Sequence, residues 1–414
     1  MVPFILLSTV FLFLGFYSIV NKVKAIKWFY YLIILLPIGG VFSGFFTKSA
    51  VAVYEFFYIG LCLSFLLSST KNKTYSLIFL FAVLLIPLLN ILGIVQGNQI
   101  EFILKDTKPF IVLAIALVLI RSMKNTSAIL TISDIKILLI VNLLKVIFIY
   151  ILGSYYGLNT EVSDDPFFIQ NEGFRYGDIG TLFVVFYFIY KLTHKQKFSF
   201  FDTVCIIIPI LITQQRTLLL TLVIILYVFY LFNGKVISKL IMLSMIPLSI
   251  YALFNLVGGR IFDVLDSDLL LKLFSIRFSP FINELANFKL ISDYLFGLGF
   301  GKPFYIPWFE YRENINNFNP NIDNLYLTYF MKFGVSFIFI FAVFYYVFQK
   351  NIPNKVYVRY LVIYLLLIGA TTAFSYQSIF IFLFTFPVLF SQLTQTQNQF
   401  FLKNKPKSIK SQRL

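Results

Sequence analysis

Residues 210–225 read ILITQQRTLLLTLVII, and the arginine in the middle governs how the rest of the chain is understood. Arg216 stands between two greasy runs, Phe201–Thr213 and Thr217–Phe232. A guanidinium between two membrane spans is tolerated at the water interface or beside a dedicated anionic partner. The stretch therefore reads as two spans joined by a short polar turn, and the side of the membrane that the turn faces matters for function.

The same texture extends outward in both directions. The chain has 414 residues, 59% of them apolar and only 13% charged, with 53 Phe and 26 Tyr; its mean hydropathy is +0.86. Apolar runs of about 18–20 residues recur along the whole length, which predicts an all-α, polytopic integral membrane protein. Thirteen spans are expected, near residues 3–20, 28–46, 50–68, 75–94, 108–122, 136–154, 179–193, 200–213, 217–233, 236–256, 324–348, 357–374 and 377–393. A count of twelve or fourteen fits the same pattern, and the short eighth span reads as tilted or partly irregular. Residues 1–414 thus form a single multi-span membrane domain. Cys62 and Cys205 both fall inside spans and imply neither a disulfide framework nor a metal site. His194, the one histidine, sits in a short basic loop and reads as a solvated loop residue. No basic residue precedes the first span, whereas Lys22, Lys24 and Lys27 follow it. That reverses a signal peptide's charge order and predicts a retained span with an outward N-terminus.

Charge sets the orientation. Segments 21–27, 69–74, 121–136, 191–199, 234–239, 349–359 and the tail after Gln392 carry 21 Lys/Arg against two acids, Asp134 and the border residue Asp202. The opposite segments carry 11 Lys/Arg against 15 Asp/Glu. The first set is therefore cytoplasmic, the C-terminus included. The net charge of +16 reflects topology and gives no reason to expect nucleic acid; the tail KNKPKSIKSQR either touches anionic lipid or is a solvated anchor.

Polar residues are concentrated on the outer face, in segments 95–107, 155–178 and, much the largest, 257–323. Chemistry there has no access to cytosolic nucleotide donors and suits a substrate already energised and carried on a lipid. Within the large loop, Ser279–Pro280 reads as an N-cap and a first helical residue. Phe281, Leu285, Phe288, Ile291 and Leu295 then form the apolar stripe of an amphipathic interfacial helix. Asn283, Asn287 and Asp293 would be kept wet, and Glu284, inside the apolar arc, would have to pair or reach water. FGLGFG at 296–301 lacks the strand and helix of a nucleotide loop, so it reads as a tight backbone crossing where a side chain would obstruct.

Four features in sequence order resemble the O-antigen polymerase and O-antigen ligase superfamily of bacterial membrane glycosyltransferases. They are Arg175 in EGFRYGDIG, Arg216 in TQQRTLLL, Arg277 in SIRFSP ahead of the glycine-rich turn, and Asp323-Asn324 followed by Gly334 in IDNLYLTYFMKFGV. Ligase-like members commonly carry His-Asn where this chain has Asp-Asn. The similarity covers roughly residues 170–345.

The resemblance implies transfer of a glycan from a polyprenyl diphosphate to an acceptor sugar's hydroxyl, outside the cytoplasmic leaflet. Arginines grip departing phosphate oxygens in pairs, and such charge stabilisation is worth about 3–4 kcal/mol per well-placed donor. On this reading Arg216 is catalytic, Arg175 and Arg277 bind substrate, and no metal or other cofactor is needed. Asp323 is either the base that takes the acceptor's proton or an N-cap shared with Asn324; Asn324 and Tyr326 would contact substrate. Each arginine also has a plainer reading, as a snorkelling interface residue or a solvated ion pair. Arg260 and Arg312 read as structural. Lys145 and Glu55, charges inside spans, read as helix-pairing residues. Tyr305, Trp308 and Tyr311 could stack on sugar faces.

The Asp-for-His difference and the aromatic loop favour a polymerase over a ligase. Expected partners are lipid-linked donor and acceptor, membrane lipid, and a chain-length regulator and flippase of the same pathway. Two other classes fit many spans: a lipid-linked oligosaccharide flippase or other transporter, and a non-catalytic member of an assembly complex.

Overall fold

The computed structural model describes residues 2–20, 26–35, 73–124, 130–155, 179–212, 216–237, 278–306, 317–371 and 385–393, with a few isolated positions between them. Helix dominates. In chain order the helices are α1 (Val2–Val20), α2 (Ile26–Leu35), α3 (Lys73–Val95), α4 (Ile100–Lys124), α5 (Ile132–Tyr155), α6 (Ile179–Thr193), α7 (Phe200–Ile212) and α8 (Arg216–Asn233). Then come α9 (278–285), α10 (Ile291–Phe296), α11 (Leu325–Phe333), α12 (Phe337–Asn351) and α13 (Lys355–Gly369). A last helix, α14, covers 385–393. A ribbon of two short antiparallel strands, β1 (Phe304–Tyr305) and β2 (Phe318–Asn319), pairs Phe304 with Asn319 and Tyr305 with Phe318.

Where expected spans fall on described residues, helices follow them. The eighth is helical over Phe200–Ile212 with Pro209 inside it, an interior proline being a local irregularity of the kind expected there. The fifth departs from expectation. Helix α4 already begins at Ile100, so most of the outer segment 95–107 is helical and not loop. The third and tenth spans lie largely outside the described residues. Among the described residues, one helical stretch, Leu325–Asn351, is long and apolar enough to cross a membrane by length and composition.

Two helices are opened by the same device. Asp134 accepts from the Thr131 amide and hydroxyl at 2.8 and 2.7 Å, from Tyr31 Oη at 2.9 Å and from Lys27 Nζ at 2.6 Å. Asp202 accepts from the Ser199 amide and hydroxyl at 3.0 and 2.7 Å, from Tyr187 Oη at 3.0 Å and from Lys191 Nζ at 2.5 Å. Each is an Ser/Thr-x-x-Asp box that satisfies the first free amides of a helix. Each is also clamped by a lysine and a tyrosine four residues apart on a neighbouring helix. His194, at the end of α6, is half-buried: its Nδ1 lies 2.8 Å from the Tyr190 carbonyl and its ring 4.4 Å from that of Tyr190. The expectation of a solvated loop residue is therefore wrong, because the last turn of α6 folds the ring back onto its own helix and against Tyr357.

These contacts give the bundle two ends. Val146 and Ile149 late in α5 pack with Ile212 at the end of α7, so those helices run in parallel and their capped starts share one end. Tyr190 meets Tyr357 there, and Asn233 Nδ2 donates to Tyr360 Oη at 2.9 Å. Among the described residues, lysine-rich segments thus come together at this end. The α3–α4 turn, the glycine-rich turn and the start of α11 gather at the other end. A large core rich in Phe and Tyr fills the space between, with Phe183, Phe186, Tyr364 and Phe386 in edge and tilted ring contacts.

Candidate functional site at the mouth of a broken helix

The apolar stretch Leu325–Asn351 is not continuous. A 3-10 turn at Gly334–Ser336 separates α11 from α12. Such a break leaves carbonyls of the preceding turn without their helical donors. The glycine-rich turn supplies them: Leu298 N donates to Met331 O at 2.8 Å and Gly299 N to Lys332 O at 3.1 Å. The approach is so close that a Cβ on Gly297 (φ +75) would stand 2.3 Å from Lys332 C and Phe333 N. One on Gly334 (φ +55) would stand 2.3 Å from Tyr294 O. The obstructed backbone crossing expected from FGLGFG is what the structure contains. Asn98 completes it, its Nδ2 donating to Leu298 O at 3.2 Å and Phe300 O at 2.8 Å.

One carboxylate lies beneath this crossing. Asp106, on α4, accepts from Gly301 N at 2.6 Å and from the ammonium of Lys332, with both side chains 0% exposed. The ring of Tyr376 lies over the same ammonium, its centroid 5.2 Å from the nitrogen. Asp106 was not singled out in the sequence, where it seemed an ordinary residue of an outer loop. The signal was Lys332: a lysine inside a span demands an acid at its own depth, and few acids lie near a span.

Above the crossing is the mouth of α11. Asn324 is its N-cap, accepting from Leu327 N at 3.0 Å and donating to Ala370 O at 3.1 Å. Tyr326 Oη donates to Leu366 O at 2.5 Å. Both residues proposed as substrate contacts therefore tie α11 to the end of α13. Asp323 precedes the cap, is exposed, and leaves the capping bond to Asn324. The ribbon reaches the mouth through Ile306 N, which donates to Asn317 O at 2.8 Å, and through Ile322, whose amide meets Thr328 Oγ1 at 3.2 Å. Beneath it Phe288, Leu298, Phe304, Ile306, Ile322 and Met331 form a small core of their own.

The single amphipathic helix expected over 281–295 is broken. Asn287 and Phe288 amides turn back to Glu284 O and Leu285 O, which ends α9. Asp293, expected to be wet, is buried and accepts from the Lys289 and Leu290 amides, both at 2.9 Å, to start α10. Two amide donors hold its carboxyl below the usual range. Phe288 points into the small core while Ile291 is 81% exposed. Glu284 does pair, with Lys302 at 3.0 Å.

The arginines are not brought to the mouth by described side chains. Arg216 opens α8 but its side chain, and Arg175, Arg277, Arg260 and Arg312 entirely, lie outside the described residues, as do Trp308, Tyr311 and Glu55. Tyr305 is on β1, its ring 5.5 Å from that of Phe318. Lys145 donates to Ile34 O at 2.6 Å and so joins α5 to the last turn of α2, the helix-pairing role expected of it. Among the described residues no three His, Cys, Asp or Glu side chains gather to hold a metal ion.

A family model matches residues 22–399, nearly the whole chain. The chain belongs to a family of unknown function (DUF6369). No curated protein and no solved structure matches it. Membership in DUF6369 carries no activity with it, so the chemistry of this chain has to be argued from its own residues.

Proposed function

We propose that this DUF6369 chain is a multi-pass membrane glycosyltransferase that polymerises oligosaccharide repeat units carried on polyprenyl diphosphate, on the outer side of the bacterial cytoplasmic membrane. The observation that carries the reading is the placement of Asp323. It is an exposed carboxylate at the mouth of a broken apolar helix, at the end of the bundle opposite the lysine-rich turns. Large apolar side chains exposed along the helices, among them Leu6, Phe13, Leu84, Leu144, Phe148 and Phe339, are what lipid-facing surfaces require. An acceptor hydroxyl gives its proton to Asp323 while its oxygen attacks the anomeric carbon of the donor. The bond to the diphosphate breaks as Arg216, aided by Arg175 and Arg277, takes up the developing charge. Asn324 and Tyr326 line the acceptor path with the atoms that helix tying leaves over.

Arginine 216 to alanine and Asp323→Ala test this. Each variant is expected to be made at the wild-type level and to leave single-repeat glycan on gels of surface polysaccharide. Normal polymer in either would remove the reading. Unattached long polymer in a gene deletion would instead indicate a ligase.

A transporter is the second reading, and the broken helix with a buried charge pair favours it, since transporters use such breaks for ions and substrates. Against it, the freed carbonyls of Met331 and Lys332 are taken by the glycine-rich turn and the two charges by each other. Lipid-linked glycan supplied from the outer side of proteoliposomes would be polymerised by an enzyme and left unchanged by a flippase.

A further inference from the structure

The two ends of the segment that carries the proposed site, already joined by backbone bonds from Leu298 and Gly299 to Met331 and Lys332, also bind one side chain in common. Gly301, where the chain leaves the glycine-rich turn for the ribbon, and Lys332, near the end of α11, both bind Asp106. The chain between them carries Tyr305, Asp323, Asn324 and Tyr326, and its two ends meet on one buried carboxylate from a helix distant in sequence. The second attachment of this segment is at its far side, where Asn324 and Tyr326 bond to the carbonyls of Ala370 and Leu366. Lys332 lies eight residues below Asn324, about 12 Å along a helix, so the clamp is too deep to touch a substrate at the mouth.

We infer that Asp106 and Lys332 are positioning residues, a buried clamp that fixes the ribbon and the mouth of α11 relative to α4 and thereby sets where Asp323 stands. The inference rests on the functional reading above for what is positioned, but the clamp itself is geometric. Its parts are unequal. Asp106 accepts from two donors, and one of them, Gly301 N, is a backbone amide that only proline at that position would remove. Lys332 serves only the carboxylate and the Tyr376 face. An acceptor at position 106 is thus the essential element, and the charges are a means of burying it. A buried pair that loses one partner strands the other, whereas replacing both by neutral groups of similar shape is often tolerated.

Three variants in the full-length protein distinguish these roles, read by hydrogen exchange of the peptides covering 297–305 and 321–326 and by turnover in proteoliposomes. Asp106→Ala is expected to speed exchange in both peptides at least tenfold and to lower turnover at least tenfold, with the donor KM within threefold. Lys332→Met should do the same to a lesser degree. The double variant D106N/K332M keeps an oxygen for Gly301 N and leaves no lone charge, so it should recover exchange and turnover to within threefold of wild type. A double variant that is protected from exchange but as inactive as D106A would overturn the inference, since the charges themselves would then be acting. Unchanged exchange at 321–326 in a folded D106A protein would overturn it as well. If D106A does not fold, the double variant and K332M decide the matter alone. Should wild-type protein make no polymer, the glycosyltransferase reading fails, and the exchange results still decide whether the clamp holds the mouth.

Discussion

Two neighbouring residues at the mouth of α11 divide their work. Asn324 caps the helix and binds Ala370 O, while Asp323 stays exposed. Removing Asn324 takes away one cap and one interhelical bond, together about 1–2 kcal/mol, so Asn324→Ala should lower the melting temperature in detergent. Asp323→Ala, at an exposed position, should lower it less than Asn324→Ala does, while polymer is lost. Equal destabilisation by both would mean that Asp323 is structural. Much of this was legible in the chain itself, since Asp-Asn ahead of an apolar run is a cap signal. Which of the two residues caps was not, because either side chain can reach the same amides. Asp106 was not legible either: its partners are a backbone amide 195 positions away and a lysine 226 positions away, and local pattern carries no trace of such pairing. Glu284 was read correctly because an acid inside an apolar arc has to find a cation, and Lys302 supplies it.

Elements here are held as much by their ends as by their faces. Alanine at Gly297 would combine a φ of +75 with a Cβ 2.3 Å from the backbone of α11. Gly97 has a similar φ, +76, but nothing within 4 Å of an added Cβ. Gly97→Ala should therefore cost about 1–2 kcal/mol of conformational strain, and G297A far more, read as expression and melting temperature. Comparable losses would show that the crossing is looser than described. The stripe over 281–295 predicted one helix, since its spacing is helical throughout; it could not reveal that Asp293 starts a second helix by binding amides four and three residues back. The boxes at Thr131 and Ser199 are short Ser/Thr-x-x-Asp patterns that the sequence reading passed over, and their lysine and tyrosine clamps arise only from packing. Asp134 shows the consequence for pH. Burial alone would raise its carboxyl, but Lys27, Thr131 and Tyr31 outweigh that and hold it at about 2. The folded value lies below the unfolded one of about 3.9, so its stabilisation is complete above the latter and is lost as pH falls through about 2. The melting-temperature difference between wild type and Asp134→Asn should shrink between pH 4 and pH 2; a constant difference would contradict the clamp.

At the scale of the molecule, several segments that charge counting groups together are also neighbours in space. Described parts of the segments 21–27, 121–136, 191–199, 234–239 and 349–359 lie at one end of the bundle, next to Lys27–Asp134, Lys191–Asp202 and Asn233–Tyr360. The turns grouped opposite them meet around Asp106. Span periodicity made the helices legible, but not the re-entry of the glycine-rich turn beneath the mouth, which depends on a helix break whose freed carbonyls need donors. The proposed chemistry requires that the mouth and the turn before α8 open on the outer side. Cysteine labelling in intact cells tests that requirement most directly. In a chain with Cys62 and Cys205 replaced, single cysteines at Gln215, Asp323 and Lys235 would be exposed to a membrane-impermeant maleimide. Reaction at 215 and 323 before lysis, and at 235 only after it, is the predicted result. Reaction at 235 in intact cells, with 215 and 323 protected until lysis, would contradict the account.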